Sequence, residues 1–291
     1  MVLPELIKPI FPVSNLEQVT DDQLARFAEL IYEQTGIRVS PQKKTLLSNR
    51  VRRRLRKTGI DGFEAYYRHL RQLRPNDPEW DAFLQEITTH ETYLFRDESQ
   101  WDWFRNDFLA QCAADARSGR AARSLRIWSA ACSTGDEAVT AACCIADALS
   151  NLPQWKIEIL GTDIGIGALE QARSAVFGER AMRLVPPAYR RRFFNKAKDA
   201  LVWQAKPILT DMIHFRQHNL MDPLREKTFD LVFLKNVLIY FDTDSKRTVL
   251  DNVRAAIQCG GVLVAGAAEG VADLIRDFQR VQPWLYRKPT K

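Results

Sequence analysis

Three short polar segments, each placed directly after an apolar run, are where this sequence could do chemistry. Ala131-Cys132-Ser133-Thr134-Gly135-Asp136-Glu137 follows LRIWSAA (125–131), Gly161-Thr162-Asp163 closes KIEILGT (156–162), and Lys235-Asn236-Val237-Leu238-Ile239-Tyr240-Phe241-Asp242 follows FDLVFL (229–234). If the apolar runs are strands of an open α/β sheet, ligands bind beyond their carboxyl ends, where these residues sit. The small residues of the first segment let a backbone approach a ligand closely. Asp163 is placed to accept two hydrogen bonds from ribose hydroxyls, although an aspartate there could equally cap the next helix. Lys235 and Asn236 followed by Tyr240 suit an adenine or reacting-centre contact, or the start of a helix. One glycine in the first segment, where a dinucleotide fingerprint has three, disfavours a dehydrogenase, and no G-x-x-x-x-G-K-[ST] is present.

Other chemistries find little support. The five cysteines (Cys112, Cys132, Cys143, Cys144 and Cys259) are odd in number and lack C-x-x-C spacing, which argues against a disulfide framework and against zinc. They read as reduced, mostly buried thiols. With four histidines (His69, His90, His214 and His218) a His-based metal site is not expected, and no Ser-His-Asp, Cys-His or paired-carboxylate set stands out.

The elements that must position these residues follow from periodicity. After a Pro-rich arm of about 20 residues, Leu24, Phe27, Ala28, Ile31 and Tyr32 recur at helical spacing behind a capping run at Thr20-Asp21-Asp22, and Gly36 ends that helix. A second helix from Ser40-Pro41 to Gly59 carries Leu46, Leu47, Val51 and Leu55 on one side. A third holds Phe63, Tyr66, Tyr67 and Leu70, and a fourth runs from Glu79 to about Thr88, after a break at Pro75-Asn76-Asp77-Pro78. From Leu125 onward the pattern alternates: apolar runs at 125–131, 156–162, 213–219, 229–234, 261–266 and 280–287, with helical patterns at 136–149, 166–175 and 244–257 between them. That predicts a parallel, doubly wound sheet covered on both faces. The expected division is an all-helical module over 1–88 and an α/β domain over 89–291, interrupted by a small antiparallel excursion near 190–212. No run of about 18 apolar residues is present for a membrane span, and the N-terminus lacks signal-peptide character. A net charge of +6 suggests an acidic partner.

Read in order, these segments resemble the CheR-type chemoreceptor glutamate methyltransferases. Thr89-His90-Glu91-Thr92-Tyr93-Leu94-Phe95-Arg96 is similar to that family's T-N-x-T-x-F-F-R, Trp128–Glu137 to W-S-A-x-x-S-T-G-E-E, Gly161-Thr162-Asp163-Ile164 to its T-D-I turn, Asn219-Leu220 to its N-L pair, and Lys235–Asp242 to R-N-V-x-I-Y-F-D. The sequence departs from the family at His90 (Asn), Asp136 (Glu), Lys235 (Arg), Ala138-Val139-Thr140 (P-Y-S) and Gly266-Ala267-Ala268-Glu269 (G-H-S-E).

The resemblance implies a cytoplasmic, S-adenosylmethionine-dependent methyltransferase fold with a helical N-terminal domain, and methyl transfer to glutamates on the acidic helical region of chemoreceptors. No metal, nucleic acid or membrane insertion is implied. His90, Thr92, Arg96, Glu137, Asp163, Asn219, Leu220, Lys235 and Asn236 would surround the cofactor, with Arg96 and Tyr240 near the transferable methyl. The helical module would face the receptor, and Arg50, Arg53, Arg54 and Lys57, at three- and four-residue spacing, would form one positive docking face. In the family the excursion is a β-subdomain that some members use to hold a receptor tail. The short stretch from Phe194 to Asn219 leads us to expect tail-independent action. Two rivals remain. A nucleic-acid methyltransferase is disfavoured because Pro186-Pro187-Ala188-Tyr189 lacks the preceding Asp, Asn or Ser and lies well before the fourth strand. A divergent member that binds the cofactor as a sensor would keep the pocket and lose the transfer.

Overall fold

The computed structural model describes residues 19–74, 77–198, 201–266 and 269–290. The expected N-terminal arm, Pro75-Asn76 and the Ala267-Ala268 departure lie outside them.

Thr20 and Gln23 start helix α1 (Asp21–Thr35) by a reciprocal cap: the Thr20 hydroxyl accepts the Gln23 N–H and the Gln23 side chain accepts the Thr20 N–H, each at 3.1 Å. The helix ends at Gly36, in the left-handed region at φ +70°. A Cβ there would come within 2.5 Å of the Met221 sulfur, so this glycine also lets the later α/β part of the chain approach. Helix α2 (Lys44–Thr58) follows a 3₁₀ turn at Pro41–Lys43, and α3 (Phe63–Gln72) and α4 (Pro78–Ile87, capped by Asp77) complete the bundle. Phe27, Ile31, Val51, Tyr66 and Phe83 form its core. Leu46, expected on the apolar side of α2, is 44% exposed.

Arg54 corrects the expected docking face. It is 8% exposed and turned inward, where its guanidinium makes two bonds to Glu79 (3.0 and 2.5 Å), whose carboxylate also accepts the Tyr66 hydroxyl at 2.5 Å. Spacing placed Arg54 beside Arg50 on the helix but could not give its depth. Breaking a buried pair strands the remaining charge, so Arg54→Ala is expected to destabilise the chain by about 3 kcal/mol in urea titrations. A docking residue would instead cost activity and leave the midpoint unchanged.

The second part is a seven-stranded sheet with strand order β6-β2-β1-β7-β8-β10-β9: β1 (Ser124–Ala130), β2 (Lys156–Asp163), β6 (Ile213–Gln217), β7 (Phe229–Leu234), β8 (Ile257–Ala265), β9 (Gln279–Gln282) and β10 (Leu285–Arg287). The first five in that order are parallel. The run at 280–287, read as a single further strand, is instead a hairpin that adds β10 antiparallel to β8 and β9 antiparallel to β10. Pro283 breaks the run, and a parallel partner would have needed a crossover of a dozen or more residues. Helices α7 (Asp136–Ala148), α8 (Ile166–Ser174) and α12 (Thr243–Ala256) make the connections.

Residues 98–117, given no element in the sequence analysis, form α5 (Glu98–Trp103), a π-helical turn (Phe104–Leu109) and α6 (Ala110–Arg117), burying Trp101, Phe104 and Leu109. The antiparallel excursion begins earlier than expected. β3 (Val176–Gly178) pairs with β5 (Val202–Ala205), which also pairs with β4 (Phe194–Lys196); α9 (Glu179–Met182) and α10 (Pro187–Phe193) lie between β3 and β4, and α11 (Pro207–Thr210) leads to β6. Counting from Phe194 left out β3, which precedes it in the chain. Among the described residues no helix is long and apolar enough to cross a membrane.

Candidate active site

In the sheet the chain steps outward from β1 to β2 and β6, then returns to place β7 on the other side of β1. The crevice at this reversal lies beyond the carboxyl ends of β1, β2 and β7. All ten residues singled out as cofactor-binding or catalytic line one cleft there: His90, Thr92, Arg96, Glu137, Asp163, Asn219, Leu220, Lys235, Asn236 and Tyr240. The cleft holds about 1400 Å³ of empty space, part of it open to solvent.

The loop after β1 is tightly bent, with Ala131 (φ +60°) and Ser133 (φ +52°) both left-handed. One contact explains how the bend is held: the Ser133 N–H donates to Asp163 Oδ2 at 2.8 Å, while Oδ1 accepts the Gly165 N–H at 2.9 Å. Asp163 thus braces the turn before α8 rather than capping the helix, whose N-cap residue is Gly165 with no side-chain cap bond, and it joins the ends of β1 and β2 at the cleft wall. The Ser133 hydroxyl is buried and has no partner among the described residues.

Glu137, in the first turn of α7, accepts the Ser129 hydroxyl at 2.7 Å. Burial pushes its carboxyl above the usual range, and the nearby Lys235 ammonium opposes that. Lys235 is itself enclosed: its Nζ donates to the Arg96 carbonyl (3.2 Å), lies 3.1 Å from Asp97 and 3.8 Å from Glu137, and sits 5.2 Å from the centre of the Trp101 ring. This cation, two carboxylates and an aromatic face form a charged floor at the end of β7.

Arg96 is held by its backbone, whose carbonyl also accepts the Trp101 indole N–H at 2.7 Å. Its guanidinium lies over Tyr93 and makes one long bond, 3.3 Å, to the Glu91 carbonyl. Asn236 is left-handed (φ +58°). Asn219 spends its side-chain amide on the protein, donating to the Gln34 carbonyl at 2.7 Å and accepting the Met221 N–H at 3.1 Å.

His90 Nε2 lies 2.6 Å from the Thr88 hydroxyl, and Nδ1 lies 3.8 Å from Asp163. Burial lowers its pKa from the ordinary value; Asp163 opposes this and Arg50 reinforces it. Below about pH 6.5 the unfolded chain takes up a proton that the folded chain resists, so this part of the stability is present above that pH and lost as pH falls through it. His218, also lowered chiefly by burial, acts in the same direction. His90→Asn is therefore expected to shrink, not abolish, the fall in Tm between pH 7.5 and 5.5 in calorimetric scans; an unchanged fall would contradict the assignment.

Motifs missed one wall entirely. Ile37, Arg38, Val39 and Lys43, between α1 and α2, line the cleft, and so does Arg50. The Arg38 N–H donates to the Tyr240 carbonyl at 2.8 Å, Ile37 forms a β-bridge with Phe241, and the Lys43 ammonium lies 5.5 Å from the Tyr240 ring centre. Arg50 donates to the Ile87 carbonyl and, at 3.3 Å, to the Thr89 hydroxyl. Arg53 and Lys57 do not line the cleft and share Glu86 at 2.6 and 3.4 Å. The expected positive face is thus divided among the cleft, the bundle core and the surface.

Family models match both parts of the chain. Residues 22–88 match the CheR methyltransferase all-alpha domain, and residues 90–285 match the CheR methyltransferase SAM-binding domain. The chain is 30% identical to a chemotaxis protein methyltransferase of Borreliella burgdorferi, over 93% of this chain and 95% of that one. It is 32% identical to one from Salmonella typhimurium (89% and 88% covered) and 31% identical to one from Escherichia coli (89% and 88% covered). With a helical bundle closing one side of a strand-end cleft and both domain models matched in order, the chain belongs to the CheR methyltransferase family.

Proposed function

We propose that this methyltransferase transfers a methyl group from S-adenosylmethionine to glutamate side chains in the acidic helical region of chemoreceptors, acting in the cytoplasm. The observation that carries the reading is the convergence of residues from five separate sequence segments on one cleft. The residues present suit the cofactor. A fixed carboxylate at Asp163 suits ribose hydroxyls, the half-buried Glu137 suits an α-ammonium, and the Ser133 hydroxyl, without a partner among the described residues, offers a further polar contact. Thr92, His90, Asn219, Leu220, Lys235 and Asn236 would complete the surround.

The bound cofactor supplies a methyl group on a sulfonium, a strong electrophile. A glutamate side chain, with an ordinary pKa of about 4.3, is already ionised at neutral pH and needs no general base. What remains for the protein is to hold the carboxylate in line, the role we assign to Arg96 and Tyr240, and to exclude water. Arg50 at the cleft, with Arg53 and Lys57 on the exposed part of α2, would attract an acidic helix, an effect that falls as salt rises.

The test is transfer of labelled methyl groups to receptor cytoplasmic fragments, with total RNA as the competing acceptor. We expect base-labile label on the fragments, lost when their acceptor glutamates are changed to alanine. Label in RNA alone would overturn the reading, and tight cofactor binding without transfer to any receptor would favour a sensor.

A further inference from the structure

Glu269, just after β8, takes no part in the chemistry above, yet it is fully buried. One oxygen, Oε1, accepts the Val237 N–H at 3.1 Å, and the other is buried without a partner among the described residues. Its backbone is anchored on both sides: the Glu269 N–H donates to the Gly266 carbonyl at 3.2 Å, and Lys246 of α12 donates to the Glu269 carbonyl at 2.8 Å. Burial raises the carboxyl pKa, and the N–H groups of Val237, Asn236, Ile239 and Leu238 pull it back. The carboxylate thus faces the amides of one short stretch of chain.

That stretch is the turn after β7. Asn236 is left-handed there, a conformation that residues with a Cβ adopt rarely, and Leu238–Tyr240 form a 3₁₀ turn. Both Asn236 and Tyr240 line the cleft. Gly266 completes the arrangement: a Cβ at this position would lie 2.8 Å from Glu269 Oε1 and 3.2 Å from the Asn236 nitrogen. The absence of a side chain keeps the carboxylate and the turn in contact.

We infer that Glu269 is a positioning residue: by binding the Val237 amide it holds Asn236 left-handed and presents Asn236 and Tyr240 to the cleft. The inference deepens the proposed function and rests on it for the activity assay, so one readout is independent of activity. Hydrogen exchange of the 236–240 amides in the full-length protein reports the turn directly. In Glu269→Ala, exchange there is expected to quicken at least tenfold, with kcat/KM falling about 10- to 100-fold through both cofactor KM and kcat. Glu269→Gln keeps an acceptor oxygen and is expected to recover most of the loss.

A residue that merely stabilises the fold would lower Tm and leave kcat and KM of the folded enzyme unchanged. If Glu269→Ala does not fold, Gly266→Ala displaces the same carboxylate from Val237 while keeping its charge, and is expected to give the same exchange pattern. Unchanged exchange at 236–240 with unchanged kcat and KM, in either folded variant, overturns the inference. Quickened exchange in a protein whose wild type transfers no methyl group would support the positioning role and sink the receptor reading instead.

Discussion

Asp163→Ala is expected to weaken S-adenosylmethionine binding by about 100-fold or more in titration calorimetry. Charge-assisted hydrogen bonds contribute about 1.5–3 kcal/mol each, and loss of two from ribose hydroxyls corresponds to roughly two to four orders of magnitude. The truncation also removes the acceptor of the Ser133 N–H, and with it the contact that holds the bent loop after β1. Asp163→Asn separates the two effects: an amide oxygen still accepts the Ser133 N–H, but the charge is gone, so an intermediate loss is expected. A change of less than about threefold in Asp163→Ala, in protein whose Tm shows it to be folded, would remove this carboxylate from the binding site.

Arg96→Ala is expected to lower kcat about 100-fold while cofactor Kd changes by less than about threefold, a split that marks loss of an interaction made chiefly at the reacting centre. The prediction is clean because the fold does not lean on the guanidinium. Lys235 and Trp101 bind the Arg96 carbonyl, which survives truncation, whereas the side chain makes one 3.3 Å bond and rests over Tyr93. Arg96→Lys keeps the charge and loses the planar fork, so partial recovery is expected. The control is Arg280→Ala on the exposed strand β9 at the far sheet edge. Equal loss from that control would show that the assay reports general damage.

What could be read from the sequence was the chemistry carried by contiguous residues. Each strand and the polar segment after it are encoded side by side, so Glu137, Asp163 and Asn236 could be placed at strand ends before any fold was known, and the structure brings them to one cleft. What could not be read depended on distant partners. Helical spacing assigned Arg54 to a side of α2, but its burial is decided by Glu79, 25 residues further on. Residues 98–117 did carry a signal: Trp101, Phe104 and Leu109 stand at i, i+3 and i+8, a helical spacing that was overlooked, whereas the π-helical turn at 104–109 has no mark of its own in the sequence. The wall formed by Ile37–Lys43 has no periodic signature, being a short connector that ends in the 3₁₀ turn at Pro41–Lys43 and is pinned by the Tyr240 carbonyl and by Phe241.

That pinned connector makes saturation and cohesion one thermodynamic quantity. A molecule lodged against both Ile37–Lys43 and the strand ends spans the seam between bundle and sheet, and so binds the joined state more tightly than either half alone. Its occupancy therefore resists their separation by an amount that grows with the logarithm of its concentration relative to Kd. The Tm of the protein should then rise with the concentration of a molecule that fills the seam, as calorimetric scans would show.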